Sequence, residues 1–255
     1  MRPVALLLAI LAMASALVAD EPDVYVTKAL AAESRFDAKT ALEFFLQADA
    51  ARPNDPFILQ KIARQYSDLT FDLTDLAEQK RYCGKALAYA QHAYQLAPED
   101  AQNVLALAIG YAKIGFYSDT RTKIENSRFV KDYAEQALAL NANNDFAHHV
   151  LGQWHYEVAS VGTAKRLLVK LIYGGLPPAS IAEGVKHLRR AVELAPEIPA
   201  HHAELGLALI ADGQPEAGQR ELRKALELPR RLKYDDETKR RAREALEKLR
   251  PFEKP

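Results

Sequence analysis

Small residues recur at fixed distances along this chain, and they restrict its fold more than any other feature of the sequence. In the clearest unit, near the C-terminus, Gly206 is followed twelve residues later by Gly218 and then by Ala225. Small side chains at such positions let two helices approach closely, while larger side chains fill the space between neighbouring pairs. The spacing therefore predicts helix pairs that stack one on another in a row.

A related pattern of small and large residues recurs five times and is typical of the tetratricopeptide (TPR) repeat, a helix pair of about 34 residues. We predict an all-α fold, a right-handed α-solenoid of about five TPR-like helix pairs. The repeats cover about residues 22–53, 56–98, 101–142, 145–196 and 199–229. We expect residues 230–255 to form a C-terminal capping helix and tail, in which acidic residues come first and basic residues last, as suits the helix dipole.

The three middle repeats are longer than the other two at the same position. In repeats one and five the small residues of the two helices are twelve residues apart, whereas Ala63 and Ala86 are 23 residues apart and Gly152 and Gly184 are 32 apart. We therefore predict enlarged turns in repeats two, three and four. Because insertions at one turn of a stacked array lie along one edge, we expect them to build a continuous surface there.

The longest insertion, in repeat four, contains the amphipathic stretch KRLLVKLIYGG. One helical face carries Leu167, Leu168, Leu171 and Ile172, and the basic residues of the stretch lie opposite. Such a helix either buries its apolar face on the array or lies on a membrane surface. We expect burial, because the helix is short and carries few charges.

The first residues of the chain differ from the rest in composition. Residues 1–19 combine a basic residue at position 2, an apolar run and small residues around Ala19. This pattern predicts a signal peptide that is removed on export to the periplasm or the medium. An uncleaved N-terminal membrane anchor is the alternative, although a stable span needs about twenty apolar residues.

Charge and motif content exclude several classes of function. The formal net charge is zero, so no overall positive field favours nucleic acid. The single cysteine, Cys83, rules out an internal disulfide framework and a multi-cysteine metal site. The sequence has no nucleophile elbow, phosphate loop or zinc-protease spacing. We therefore expect no catalytic residues, no cofactor and no metal, and predict that the chain is not an enzyme.

The concave face of the array is the predicted binding site. In TPR units this face is formed by recurring positions of each first helix, and here those positions are mainly apolar or aromatic. The candidates are Phe57, Gln60, Arg64, Leu105, Ile109, Phe146, His149, Gln153 and Tyr156. An apolar groove suits a helix or peptide of another protein, or an acyl chain. The alternative is that an insertion of the chain itself fills the groove.

The fourth repeat resembles a known family. LGQWHYEVAS, followed by LIYGGLPPASIAEGVKHLRRAVELAP, is similar to the LGRWCYEVA-type helix, LFG-x-PP-type turn and A-x-E-L-x-P end of the regulator-of-microtubule-dynamics family. The matching motif residues include Leu151, Gly152, Trp154, Tyr156, Glu157, Pro177 and Pro178. Gln153 and His155 stand where the family prefers Arg and Cys. The resemblance covers roughly residues 57–249.

The resemblance implies a TPR-like fold and a non-catalytic binding role, in a family described as microtubule-associated or as organelle-contact tethers. Within the motif we expect Trp154 and Tyr156 to anchor the first helix, and Pro177 and Pro178 to occupy the first turn of the second, where proline is favoured. We predict a scaffold that binds another protein through its groove. The alternatives are a lipid-binding or membrane-surface module using the groove and the 167–172 face, and cytoskeletal association, which export would preclude.

Overall fold

The computed structural model describes residues 21–249, which form twelve α-helices and no strand. The helices are α1 (Glu21–Glu33), α2 (Ala38–Ala51), α3 (Pro56–Leu69), α4 (Leu76–Leu96), α5 (Ala101–Phe116), α6 (Thr120–Leu140), α7 (Asp145–Ala159), α8 (Thr163–Tyr173), α9 (Ile181–Leu194), α10 (Pro199–Ala211), α11 (Pro215–Glu227) and α12 (Asp235–Lys248). In this range, no helix has both the length and the apolar content that a membrane span requires. The predicted signal peptide lies outside the described residues.

The helices pack in five pairs, which confirms the predicted all-α solenoid. The pairs are α1 with α2, α3 with α4, α5 with α6, α7 with α9, and α10 with α11. The second helix of each pair also packs against the first helix of the next pair. This chain of nearest-neighbour contacts is the architecture of a repeat solenoid.

Local signals start several of these helices. Each helix from α2 to α6 follows an aspartate whose carboxylate accepts hydrogen bonds from backbone N–H groups of the first turn. The capping residues are Asp37, Asp55, Asp75, Asp100 and Asp119. A side chain in this position satisfies N–H groups that have no partner within the helix.

The small residues of the repeat lie where paired helices touch. A Cβ atom on Gly218 would lie 2.6 Å from the carbonyl oxygen of Gly206. In the fourth repeat, a Cβ atom on Gly152 would lie 3.0 Å from the carbonyl oxygen of Gly184 and 2.7 Å from Cγ of Leu188. The helices of these two pairs therefore contact each other backbone to backbone, which no larger residue permits.

Most of the extra residues of the middle repeats are helical. In repeats two and three they lengthen the second helix at its N-terminal end, so that α4 begins ten residues before Ala86 and α6 begins ten residues before Val130. The connecting turns are residues 70–75 and 117–119. Because Asp75 and Asp119 cap these helices, the second helix starts early and the inserted residues extend it. In repeat four the insertion forms a separate helix, α8.

The apolar face of α8 is exposed, and the expectation that it is buried is wrong. Leu167, Leu168, Leu171 and Ile172 all face solvent, and Val169 is the one buried residue among the α8 side chains that the structure describes. The close contact of Gly152 with Gly184 leaves no space for a third helix between α7 and α9. The insertion therefore lies outside the pair, and it does not fill the groove.

The proline pair of the family motif lies outside the helix that follows it. α9 begins at Ile181, after Ser180, whose side chain caps the helix by accepting from the backbone N–H of Glu183. Pro177 and Pro178 belong to the preceding turn, residues 174–180. The expectation that they form the first turn of α9 is wrong, because Ser180 supplies the helix start.

We predict that Gly218→Ala lowers the free energy of unfolding by about 1–3 kcal/mol, because the added methyl group must push α10 and α11 apart. Gly84→Ala is the matched control, since Gly84 lies inside α4 with no neighbouring atom within 4 Å of the added methyl group. That control should gain up to about 1 kcal/mol from helix propensity. Urea unfolding followed by circular dichroism measures both, and equal effects would contradict close packing at Gly218.

Candidate binding surface

The residues predicted to line a concave groove do not share one open surface. Leu105 and His149 are buried, and Ile109 and Phe146 are partly buried in the same core as Leu105. Tyr156 packs on the core formed by α9 and α10. Phe57 and Arg64 are exposed, whereas Gln60 and Gln153 are partly buried. Their role in binding stays a prediction.

The C-terminal part of the chain crosses to the first two repeats. We call residues 228–234, between α11 and α12, the crossover segment. The guanidinium of Arg230 lies over the ring of Phe36, 4.5 Å from its centroid, in the turn between α1 and α2. Lys233 Nζ lies 2.8 Å from Asp72 Oδ1, just after α3. The crossover segment thus joins the end of the array to its beginning.

Aromatic and backbone contacts hold the crossover segment in place. The ring of Tyr234 stacks on Phe71 with 5.6 Å between centroids. Leu232 is buried, and its backbone N–H donates to Asp235 Oδ2 over 2.8 Å. α12 then packs on α10 and α11. The crossover segment is therefore fixed both to the first repeats and to the helix that follows it.

A cavity of about 490 Å³ remains between α1, α3 and the crossover segment. Its walls include Glu33, Arg64, Asp68 and Lys233, so groove position Arg64 faces the crossover segment of the same chain. Glu33 pairs with Lys61 at 2.8 Å and with Arg64 at 3.3 Å. Burial raises the pKa of Asp68 to about 6. Charged walls of this kind do not suit an acyl chain, which needs a mainly apolar pocket.

We call the inserted segments together the insertion edge: the first halves of α4 and α6, the end of α5 with the turn that follows it, and α8. A small cavity of about 190 Å³ lies between Lys80 and Cys83 of α4 and Tyr117 of the α5–α6 turn. Arg128 Nη2 of α6 donates to the carbonyl oxygen of Gly175, just after α8, over 3.3 Å. These contacts connect repeats two, three and four along one edge.

Trp154 is the residue of the family motif that ties repeat four to this edge. It is buried, and its indole Nε1–H donates to the carbonyl oxygen of Ser127 over 2.8 Å. Leu151 is buried in the same core. Glu157 is exposed and accepts from Gln153 Nε2 over 3.0 Å. The insertion edge is therefore anchored to the core through an indole, which explains why an aromatic donor suits this position.

Large apolar side chains are exposed along the insertion edge. They are Leu76 at the start of α4, Phe116 at the end of α5, Phe129 in α6, and Leu167, Leu168, Leu171 and Ile172 of α8. Phe116 is 73% exposed. Leu96 and Leu140, also exposed, lie at the opposite ends of α4 and α6. A group of exposed apolar side chains on one side of a protein is typical of an interaction surface.

Six of the seven histidines lie in α7, α9 and α10. His148 Nδ1 lies 2.9 Å from His187 Nδ1, and His149 Nδ1 lies 3.1 Å from His201 Nδ1. Burial and the neighbouring histidines lower the pKa of His187 to about 4. Within residues 21–249, no three or more His, Cys, Asp or Glu side chains are grouped so as to hold a metal ion. These two histidine pairs therefore serve as hydrogen-bonding contacts between helices.

Comparison with known proteins gives the family. The profile described as regulator of microtubule dynamics protein 1-3 matches residues 25–250. The chain belongs to this family. The resemblance read from the fourth repeat is therefore confirmed.

Two relatives in the family show how far the similarity extends. Regulator of microtubule dynamics protein 3 of Xenopus laevis is 25% identical over 138 residues, which are 54% of this chain and 30% of that protein. Regulator of microtubule dynamics protein 1 of Mus musculus is 26% identical over 143 residues, 56% of this chain and 47% of that protein. The chain thus matches less than half of the length of each relative.

A solved structure confirms the repeat type. A thermophilic TPR protein of Thermus thermophilus superposes with a TM-score of 0.63 and 17% sequence identity. The superposition covers 88% of this chain and 98% of that one. At this level of identity, the likeness shows the fold.

In this family member, we predict that Tyr234→Ala lowers the free energy of unfolding by about 2–3 kcal/mol, because the ring and its stacking on Phe71 are lost. Amide hydrogen exchange should show the loss of protection in α1 to α3 as well as in α12. Phe116→Ala is the control and should change stability by less than about 0.5 kcal/mol, since Phe116 is exposed. Protection unchanged in α1 to α3 would contradict the role of the crossover segment.

We also predict that His187 lowers stability as the pH falls from 7 to 5. Its folded pKa of about 4 lies below the ordinary value of 6.5, so the unfolded chain binds the proton first and stability is lost as the pH falls through this window. Relative to His187→Asn, the wild type should lose about 1 kcal/mol after allowance for solvent screening. Urea unfolding at both pH values measures this difference. Parallel curves for the two proteins would contradict it.

Proposed function

We propose that this chain is a non-catalytic scaffold that binds another protein along the insertion edge. The observation that carries the proposal is the set of exposed large apolar side chains at Leu76, Phe116 and Phe129, all of which belong to the insertion edge. TPR-like folds bind proteins or peptides, and families of this fold are generally non-catalytic scaffolds. The partner we expect is a helix or an extended segment of another protein.

The edge is a better candidate than the concave face, because at the first repeats the groove candidate Arg64 shares a cavity with the crossover segment. Lys233 and Arg230 also contact Asp72 and Phe36, in the turns that follow α3 and α1. A peptide that entered at repeats one and two would have to displace these contacts. Phe116, in contrast, offers a largely free aromatic side chain, and aromatic residues are enriched among those that contribute most to interfaces.

Microtubule association is a further hypothesis, taken from the names of the relatives. The chain matches less than half of those proteins, so the property comes to it only as a proposal. Export, which the first 19 residues predict, would separate the chain from microtubules. N-terminal sequencing of the protein purified from its source cells decides between a cleaved leader and an anchor, and co-sedimentation with polymerised tubulin tests the association directly.

We predict that Phe116→Ser weakens partner binding at least tenfold, because burying an aromatic anchor contributes about 2 kcal/mol or more to an interface. The wild type and the variant, both tagged, are expressed in the source cells, and the co-purified proteins are quantified. The affinity of the purified partner is then measured with each protein. Leu140→Ser, at the opposite edge, is the matched control and should bind as the wild type does.

Phe57→Ser separates the edge from the concave face, since Phe57 is an exposed member of the predicted groove. It should leave partner binding unchanged. If Phe57→Ser abolished binding and Phe116→Ser did not, binding would lie on the concave face and the proposal for the edge would be wrong.

A further inference from the structure

We propose that α8 docks on the surface of an anionic lipid membrane, with its axis in the membrane plane and its leucine face among the lipid headgroups and upper acyl chains. The inference does not depend on the proposed protein-binding role, because it rests on α8 alone. It requires no transmembrane helix. The surface involved is the apolar face of α8, which no other part of the described chain covers.

The leucine face of α8, defined by Leu167, Leu168, Leu171 and Ile172, is more exposed than a folded chain normally leaves a helix. The four side chains are 68%, 54%, 83% and 56% exposed, in that order. Val169, on another side of the helix, is buried. α8 therefore has a defined orientation, and that orientation directs its apolar face to solvent.

Hydrogen bonds at both ends of α8 attach the helix to the rest of the chain. Arg166 Nη2 donates to the carbonyl oxygen of Val158 over 2.7 Å, which ties the first turn of α8 to the end of α7. At the other end, Gly174 and Gly175 have φ angles of 78° and 100°, which reverse the chain before α9. Arg128 holds the carbonyl of Gly175. A helix fixed at both ends offers its leucine face without further folding.

The charge of α8 favours an anionic surface. Thr163–Tyr173 contains Lys165, Arg166 and Lys170 and no acidic residue. Within the described part of the chain, Lys165 and Lys170 form no ion pair, and both are exposed. A polar face with basic residues, together with an apolar face, is typical of helices that lie in the interface of anionic membranes, where long lysine side chains reach the headgroups.

The size and charge of the leucine face argue against a protein occupant. Four side chains on an eleven-residue helix are too few to bury the roughly 800 Å² per partner that a stable protein interface needs. A second copy of the chain would bring together two α8 helices that each carry three basic residues and no acidic one, so it supplies no opposite charge. A lipid surface has no minimum contact area and supplies the opposite charge.

A polarity-sensitive fluorophore on α8 tests the inference with the full chain. Leu171→Cys accepts the label, while the native Cys83 is buried and does not compete. With vesicles of phosphatidylcholine and about 30% phosphatidylserine, the emission should shift to the blue and rise about twofold or more at low salt, and salt should reverse the change. Phosphatidylcholine alone should leave the emission near its value in buffer.

Two controls locate the contact and test its charge dependence. The same label at Leu140→Cys, on the opposite edge, should not respond to vesicles. Lys165→Glu together with Lys170→Glu, in the Leu171→Cys protein, should weaken vesicle binding at least tenfold, since each basic residue near an anionic surface adds to the attraction.

Three outcomes would overturn the inference. The label at Leu171→Cys could stay in water while the chain binds vesicles, which would assign the binding to another segment. Neutral and anionic vesicles could give the same response, which would remove the role of the lysines. The emission of the label could shift with protein concentration in the absence of lipid, which would identify a second copy of the chain as the molecule that covers the leucine face. None of these results bears on partner binding at Phe116.

Discussion

Backbone contact between paired helices sets the geometry of the whole array. At Gly206 and Gly218, and again at Gly152 and Gly184, the two helices of a pair approach until a single methyl group would collide with a carbonyl oxygen. Close packing of this kind leaves few voids and fixes the angle between helices. Each helix pair therefore has a well-defined surface on which the next pair packs, and the array is built by repeating this contact between neighbouring pairs.

The same constraint determines where inserted residues go. Because α7 and α9 touch directly, the insertion between them has no place inside the pair and forms α8 outside it. In repeats two and three, capping aspartates turn most of the inserted residues into extra helical turns on the same side. The insertion edge, with its exposed Phe116 and the leucine face of α8, is therefore a consequence of packing that is complete without it.

The crossover segment shows the opposite situation, in which side chains from distant parts of one chain contact each other. Arg230, Lys233 and Tyr234 meet Phe36, Asp72 and Phe71, which come about 160 to 200 residues earlier in the sequence. Neither partner carries a local signal for the other. An ion pair and aromatic stacking become possible only after the array has curved enough to bring its ends together.

The repeat can be read from the residues alone: the offsets of Gly206, Gly218 and Ala225 predict stacked pairs, because helix pairing is a contact between near neighbours in the chain. The sequence also identified the amphipathic character of α8 and the family motif around Trp154. The packing of the helices shows in addition that the leucine face stays exposed and that the crossover segment lies beside Arg64, a residue predicted for the groove. The exposure of the leucine face and the position of the crossover segment depend on the space that the curved array leaves between distant helices. No local pattern of residues encodes that space.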